Sequence, residues 1–279
     1  MTLHRVELAM LDVPFAVETD DERIARFVRT FWEPFLASHV PDDAVPVVIR
    51  GTGDRWELRS EGDPGAEVQD PWVLGTVLRN LLTMKAVRLA ADVVPVHASV
   101  AERDGVHLVL AGPSEAGKTT LMLELLARGW GYVSDDMAPI DGATGLAGPL
   151  RKPLQVRDPA RWASTTGRWR VPDWLPEPRR ASLVPPGALP SSSDRPYRPT
   201  VLVFSTFGAG EDPRSEPLSP GEAVALAGQN LQFRAVSARD VGALAAWAGA
   251  APAVRIRYGS SEEALRLLDE ALGRATPLP

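Results

Sequence analysis

The sequence predicts an α/β protein with a small α/β appendage at its N-terminus, and three observations indicate this class. Short β-rich stretches alternate with amphipathic helical ones along the 279 residues. A glycine-rich loop at 112–119 joins an apolar strand to a helix. No segment repeats at a period of 20 to 50 residues, which excludes solenoids and propellers. We expect residues 1–70 to form the appendage and residues 71–279 to form the core.

The composition narrows the function classes. The chain is 44% apolar and 24% charged, as in ordinary globular proteins, and its net charge of −6 argues against broad nucleic-acid or membrane-surface binding. It has no cysteine, which excludes disulfides, thiolate metal sites and cysteine nucleophiles and fits a reducing compartment. Residues 1–7 carry no sign of a secretory signal, and the apolar stretch 241–254 is too short to span a bilayer. We therefore expect a cytoplasmic protein.

The first seventy residues contain packing elements. Thr19-Asp-Asp-Glu22 has the pattern of a capping box, and apolar residues follow it at helical spacing. Residues 45–50 and 55–59 are typical of strands on either side of a glycine-containing turn.

The core begins with a helix predicted over 72–91, followed by a hairpin. Its arms, 94–101 and 106–111, are joined by Asp104-Gly105, a dipeptide suited to the positive φ angles of a tight turn. A helix over 121–128 ends at Gly129, and a short strand over 131–134 follows.

The rest of the core alternates between loops and regular elements. Eight prolines fall between Pro172 and Pro199, which predicts a long loop or mobile segment over 172–199. Strands are predicted at 201–204 and 253–258. Helices are predicted to start after Ser219, Ser237 and Ser260, each of which precedes an acidic residue at capping-box spacing.

The loop at 112–119 fits the pattern G-x-x-x-x-G-K-[ST], and it lies between a strand and a helix as a phosphate-binding P-loop does. Loop amides and the positive helix end converge on a polyphosphate, Lys118 reaches the β- and γ-phosphates, and the Thr119 hydroxyl ligates Mg²⁺. The expected cofactors are ATP or GTP with Mg²⁺. The predicted nucleotide-binding residues are Gly112, Pro113, Ser114, Glu115, Ala116, Gly117, Lys118, Thr119 and Thr120.

Polar residues flank the P-loop in the sequence. Asp135 and Asp136 follow the strand after the loop helix, where the carboxyl edge of a parallel sheet places them beside the phosphates. One carboxylate can hold the metal while the other accepts the proton of an attacking hydroxyl. His97, before the loop, has two interpretations: a satisfied core histidine, or an imidazole that approaches the aspartate pair. His107 is interpreted as structural.

Together these residues resemble the catalytic core of HPr serine kinase/phosphorylase and its relatives. The resemblance rests on His97, the loop 112–119, the helix that ends at Gly129, and Val133-Ser-Asp-Asp136, and it covers about 45 residues. It implies a P-loop core with a mixed sheet, similar to that of phosphoenolpyruvate carboxykinase. It also implies that His97 and Lys118 are catalytic, that Asp136 deprotonates a substrate hydroxyl, and that Asp135 supports the metal or the histidine.

The resemblance implies ATP-dependent transfer of phosphate to a serine of a peptide or protein. The chain lacks the Glu-x-Arg-Gly segment of the HPr kinases, and their later catalytic arginine has no clear counterpart. It is therefore more similar to the HPr-kinase-related proteins of bacterial gene clusters, some of which phosphorylate a ribosomal peptide precursor such as a lasso peptide.

Two basic segments are candidates for substrate contact. Arg151 and Lys152 follow the aspartate pair and are suited to clamp a phosphoryl group or an acidic substrate tail, or are simply solvated. Residues 157–180 hold six arginines and three tryptophans, typical of a lid, of indoles packed on a core, or of a single-strand nucleic-acid surface. With an acidic chain we do not expect a nucleic acid as partner.

Other functions stay open. The chain is compatible with a nucleotide-binding regulatory or assembly ATPase without kinase activity, or with a kinase acting on a small metabolite. The sequence also leaves open whether the protein forms a homo-oligomer.

Overall fold

The computed structural model describes residues 2–52, 55–158, 170–178, 181–210, 212–233 and 236–275. The strands in these ranges are β1 (His4–Met10), β2 (Val13–Thr19), β3 (Val45–Thr52), β4 (Arg55–Ser60), β5 (Ala66–Val68), β6 (Val93–Val96), β7 (Ala98–Arg103), β8 (Val106–Ala111), β9 (Gly131–Ser134), β10 (Ala138–Asp141), β11 (Leu154–Val156), β12 (Ser182–Val184), β13 (Val201–Phe207), β14 (Arg214–Leu218) and β15 (Ala253–Tyr258). The α-helices there are α1 (Glu22–Phe31), α2 (Pro71–Leu89), α3 (Lys118–Ala127), α4 (Pro220–Gln229), α5 (Ala238–Ala248) and α6 (Ser261–Ala275). The predicted α/β class is confirmed.

The chain divides into two compact units. One comprises Met1–Ala91 with Lys152–Leu189, and the other comprises Asp92–Arg151 with Pro190–Pro279. Among the described residues, no helix is both long enough and apolar enough to cross a membrane.

The first unit is built on a five-stranded sheet in the order β1-β2-β3-β4-β5. Strands β3 and β4 confirm the predicted pair, whereas the β1–β2 hairpin was not predicted from the sequence. Its turn places Leu11 and Asp12 at φ 53° and 63°, a conformation that non-glycine residues seldom adopt and that composition therefore does not indicate.

Helix α1 starts from a different cap than predicted. Asp21 is its N-cap and accepts a hydrogen bond from the Arg23 amide at 2.9 Å, so the capping box from Thr19 to Glu22 is wrong. Thr19 belongs to strand β2, and its hydroxyl accepts instead from the Asp21 amide at 3.2 Å. A carboxylate one residue before the helix outcompetes the more distant hydroxyl for the free amides.

The division into units differs from the predicted boundary at residue 70. Helix α2 belongs to the first unit, where a Cβ atom on Gly75 would lie 2.6 Å from Phe27 and 2.7 Å from Leu183. The helix therefore packs closely on residues before and after it in the sequence, and glycine is needed for this approach. The proline-rich segment is also not a plain loop, because Ser182–Val184 forms β12 and pairs with β11.

The second unit contains a six-stranded mixed sheet in the order β14-β15-β13-β8-β7-β9. Strands β8, β13 and β15 are parallel to one another, while β7, β9 and β14 each pair antiparallel with a neighbour. Because β8 and β9 both run opposite to β7, they run in the same direction, and their carboxyl ends meet at one edge of the sheet. A buried core that includes Val109, Phe204 and Trp247 lies on one face.

The predicted hairpin is present, but its first arm is shorter. Asp104 and Gly105 form the turn with φ 54° and 79°, and β7 pairs antiparallel with β8. The predicted arm 94–101 is interrupted at His97, and its first part, β6, pairs with β10 in a separate two-stranded sheet. Strands at 131–134 and 253–258 and the capped starts of α4, α5 and α6 agree with the prediction.

Candidate functional site

The glycine-rich loop lies between the end of β8 and the start of α3, and two of its glycines are required by the structure. Gly112 has φ 152°, and a Cβ there would lie 2.7 Å from the Ser205 carbonyl oxygen. Gly117 has φ 82°, and a Cβ there would lie 2.3 Å from the Tyr258 hydroxyl. Side chains at these positions would displace the loop, so local packing requires glycine at both ends of the pattern G-x-x-x-x-G.

Side chains from the neighbouring strands β13 and β15 hold the loop through hydrogen bonds. The Tyr258 hydroxyl, at the end of β15, donates to the Ala116 carbonyl at 2.7 Å, and the Ser205 hydroxyl of β13 donates to the same oxygen at 3.3 Å. Burial raises the pKa of Tyr258 to about 12, although the neighbouring Ser205 hydroxyl opposes the shift. The phenol is therefore a permanent donor at neutral pH.

Lys118 begins α3 and turns its ammonium back into the loop. Nζ donates to the carbonyls of Gly112 and Pro113, both at 2.8 Å, and the residue is 6% exposed. Burial lowers the pKa of Lys118, while the charges of Asp135 and Asp136 act in the opposite direction. The charges of both carboxylates therefore act on Lys118, although Asp135 lies 17 residues after it in the sequence.

The other predicted loop residues are more accessible. Pro113, Ser114 and Glu115 are exposed, whereas Thr119 and Thr120 are partly buried in the first turn of α3. Glu115 has φ 68°, a left-handed conformation that keeps the loop curved. Helix α3 begins directly after the loop, so its first backbone N–H groups point toward the loop.

The aspartate pair follows β9 and divides between two environments. Asp135 is 3% exposed and accepts a hydrogen bond from the Ser99 hydroxyl of β7 at 2.5 Å. The Asp136 side chain is 41% exposed, and the backbone of this residue has φ 73°. The two carboxylates therefore have different surroundings, and the left-handed turn at Asp136 separates them.

His97 connects the pair to a third part of the chain. Its Nε2 lies 3.4 Å from Asp136 Oδ1, and its Nδ1 lies 2.7 Å from Gln232 Nε2. Its amide donates to the Asn230 carbonyl at 2.7 Å. His97 therefore lies between β6 and β7, beside Asp136, and the interpretation as an approaching imidazole agrees with the structure.

His107 has a different environment, as the sequence suggested. Its ring stacks on Tyr197 with centroids 4.5 Å apart and planes 2° from parallel. Burial lowers the pKa of His107, and the charge of Glu102 partly opposes this. These contacts describe a packed histidine.

Arg151 and Lys152 are both largely withdrawn from solvent. The Arg151 guanidinium donates to the Tyr132 and Ser193 carbonyls at 3.2 and 2.8 Å and pairs with Asp194. Lys152 is 2% exposed. Their role in substrate contact stays a prediction.

The region 157–180 is described only in part. Trp162 and Trp169 lie outside the described residues. The guanidinium carbon of Arg26 lies 4.7 Å from the ring centroid of Trp174, within the first unit. This contact fits packed indoles and leaves the lid and nucleic-acid interpretations as predictions.

Several residues of the site carry no signal in the sequence. Ser99, Ser205, Gln232 and Tyr258 contact the loop, the aspartate pair or the histidine only because the fold assembles distant segments.

A comparison with protein-family models finds no match, and a comparison with curated proteins finds none either.

Proposed function

We propose that the protein is an ATP- or GTP-dependent kinase that transfers the γ-phosphoryl group to a hydroxyl, a serine of a peptide or protein. One observation carries the proposal. An imidazole, a buried lysine at a glycine loop and two consecutive carboxylates come together from three separate segments. A kinase needs these groups at the terminus of a triphosphate.

The loop supplies the nucleotide site in this proposal. Its amides and the N-terminus of α3 bind the β- and γ-phosphates, and the Lys118 ammonium exchanges its two carbonyl partners for phosphate oxygens. Burial lowers the pKa of Lys118, whereas the charges of Asp135 and Asp136 favour its cationic form. Neutralisation of phosphate charge is the main contribution of such groups to the rate.

The residues present fit a magnesium ion bound with the nucleotide. The Thr119 hydroxyl and the Asp135 carboxylate are the hard oxygen donors that Mg²⁺ prefers, and nucleotide-bound Mg²⁺ needs only one or two carboxylates beside the phosphates. Among the described residues no group of three or more histidines or acids forms a metal cage. When bound, the ion neutralises charge on the transferred phosphate.

Asp136 acts as the base. Its side chain is the accessible one of the pair, and His97 beside it holds the carboxylate in place. As the acceptor oxygen bonds to the γ-phosphorus, the bond from phosphorus to the β-phosphate oxygen breaks and the hydroxyl proton moves to Asp136. The products are a phosphoester and the nucleoside diphosphate, and Asp136 later releases the proton to water. Placement matters more than basicity here, because proton removal is late.

The resemblance to HPr serine kinase/phosphorylase supports the choice of a protein or peptide acceptor, and with it a phosphoenolpyruvate carboxykinase-like core and a cytoplasmic location. The mixed sheet with β7 antiparallel beside the loop strand β8 is compatible with that core. The accessible Asp136 carboxylate also suits an acceptor side chain that enters from solvent.

The test is phosphate transfer from Mg-ATP to the peptides encoded by neighbouring genes, followed by mass spectrometry. We expect one phosphate on a serine. Asp136→Asn should lower the transfer rate by roughly a thousandfold or more while nucleotide affinity stays within about threefold. Tight nucleotide binding with no transfer to any candidate, or full biological activity of Asp136→Asn, would favour the regulatory ATPase instead.

A further inference from the structure

A short segment after α4 is attached to His97 by its backbone. The His97 amide donates to the Asn230 carbonyl at 2.7 Å, and the Gln232 amide donates to the Pro95 carbonyl at 2.9 Å. Between these bonds, Leu231 and Val96 form an antiparallel bridge. The backbone of Gln232 is therefore held beside His97 by two main-chain hydrogen bonds, and its side chain reaches the ring from this fixed point.

The Gln232 carboxamide meets the ring at Nδ1. Its Nε2 lies 2.7 Å from His97 Nδ1. With the carboxamide in this orientation its nitrogen donates, and Nδ1 accepts with its lone pair. In a neutral imidazole the single ring hydrogen then belongs to Nε2.

The other side of the ring agrees with this assignment. His97 Nε2 lies 3.4 Å from Asp136 Oδ1, and an ionised carboxylate can only accept. Donors and acceptors therefore alternate from Gln232 through the ring to Asp136. A hydrogen on Nδ1 would instead leave the neutral ring with an unprotonated Nε2 that faces the carboxylate.

We infer that Gln232 is a positioning residue that sets the tautomer of His97, so that the Nε2 hydrogen is directed at Asp136. Its consequence for catalysis rests on the proposed kinase function. A neutral imidazole that donates from Nε2 fixes the direction of the carboxylate and leaves it its negative charge. No motif points to Gln232, which lies 135 residues from His97 in the chain.

The tautomer can be measured on the full-length protein without any substrate. In protein labelled with ¹⁵N-histidine, His97→Asn identifies the His97 signals among the four histidines. At about pH 8.5, where an ordinary histidine is neutral, we expect Nδ1 to appear as the unprotonated nitrogen and Nε2 as the protonated one. A hydrogen on Nδ1 in the wild-type protein would overturn the inference.

Gln232→Glu replaces the hydrogen-bond donor at Nδ1 by an acceptor of almost the same shape. A carboxylate at this position accepts a hydrogen bond, so Nδ1 should become protonated. Gln229→Glu adds the same charge on an exposed residue of α4 and should leave the His97 signals unchanged. An unchanged hydrogen position in folded Gln232→Glu, verified by circular dichroism, would also overturn the inference.

The catalytic consequence has its own readout. We expect Gln232→Glu to lower kcat about 10- to 100-fold, the range seen when the partner of a functional histidine is lost, with nucleotide affinity within about twofold of wild type. An unchanged kcat, with the hydrogen moved, would refute the positioning role. If the wild-type protein transfers no phosphate, the proposed function fails, while the nitrogen signals still decide the tautomer.

Discussion

Individual residues of the phosphate loop are constrained by their neighbours, and Gly117 shows this most clearly. Its φ of 82° favours glycine, and a Cβ would also lie 2.3 Å from the Tyr258 hydroxyl. Gly129, at the end of α3, has φ 83° with nothing within 4 Å of the same position. The two glycines have the same backbone conformation but different surroundings. Comparing an alanine substitution at each position therefore separates the cost of backbone strain from the cost of the clash with Tyr258.

We expect Gly129→Ala to lower the free energy of unfolding by about 1–2 kcal/mol, the cost of a left-handed alanine. Gly117→Ala should lower it by at least about 1 kcal/mol more, because Tyr258 must move and its bond to Ala116 is lost. Denaturant unfolding of both variants measures the difference. Equal losses would show that the Tyr258 contact does not constrain the loop.

The sequence identified the polar residues that the structure brings near the glycine-rich loop. Lys118, Asp135, Asp136 and His97 were identified because the loop pattern and its spacing to polar residues depend on local order along the chain. The partners that orient them were not identifiable. Gln232 reaches His97 through tertiary contact alone, and neither periodicity nor capping patterns report such contacts.

At the scale of elements, strands β13 and β15 serve as the platform for the phosphate loop. Both are parallel to β8, so their carboxyl ends lie at the edge where the loop begins. Ser205 and Tyr258 reach the Ala116 carbonyl from these ends. The shape of the loop is therefore a property of the sheet.

We expect Tyr258→Phe to weaken nucleotide binding about 5- to 10-fold, because the loop carbonyl loses its shorter hydrogen bond, worth about 1 kcal/mol or more. Ser205→Ala removes the longer bond and should weaken binding less. Titration calorimetry with Mg-ATP gives both affinities. A larger loss in Ser205→Ala would contradict the assigned order of the two supports.

Elements with strong local signals were predicted, and those defined by pairing were not. Helices α4 and α5 each begin with a capping box, in which Ser219 and Glu222, or Ser237 and Asp240, exchange hydrogen bonds. This motif depends only on the three-residue spacing of its members. The hairpin arm 94–101 was wrong because β6 pairs with β10 and not with β8. Choice of partner strand is a long-range property that a local pattern does not carry.

At the scale of the whole molecule, one of the two units carries the candidate site. The glycine-rich loop, the aspartate pair, His97 and Gln232 all belong to the unit that contains Asp92–Arg151. The first unit contributes none of these residues. Sequence composition predicted the class but not this division, because residues 152–189 return to the first unit only through tertiary packing.

We expect Mg-ATP at 100 times its Kd to stabilise the folded protein by about 2.7 kcal/mol and to raise Tm by roughly 5–10 °C. Lys118→Ala should abolish most of the shift. Lys85→Ala, which removes an ion pair with Asp63 in the first unit, should retain it. Differential scanning calorimetry measures all three, and a full shift in Lys118→Ala would exclude the loop as the nucleotide site.

The central claim is that His97, Lys118 and Asp136 surround the terminus of one triphosphate. A crystal structure with Mg²⁺ and a non-hydrolysable ATP analogue tests it most directly. We expect the γ-phosphate beside Lys118 Nζ, with the Asp136 carboxylate within one water-bridged distance and His97 still against Asp136. A γ-phosphate bound elsewhere, or an Asp136 turned away from it, would contradict the account.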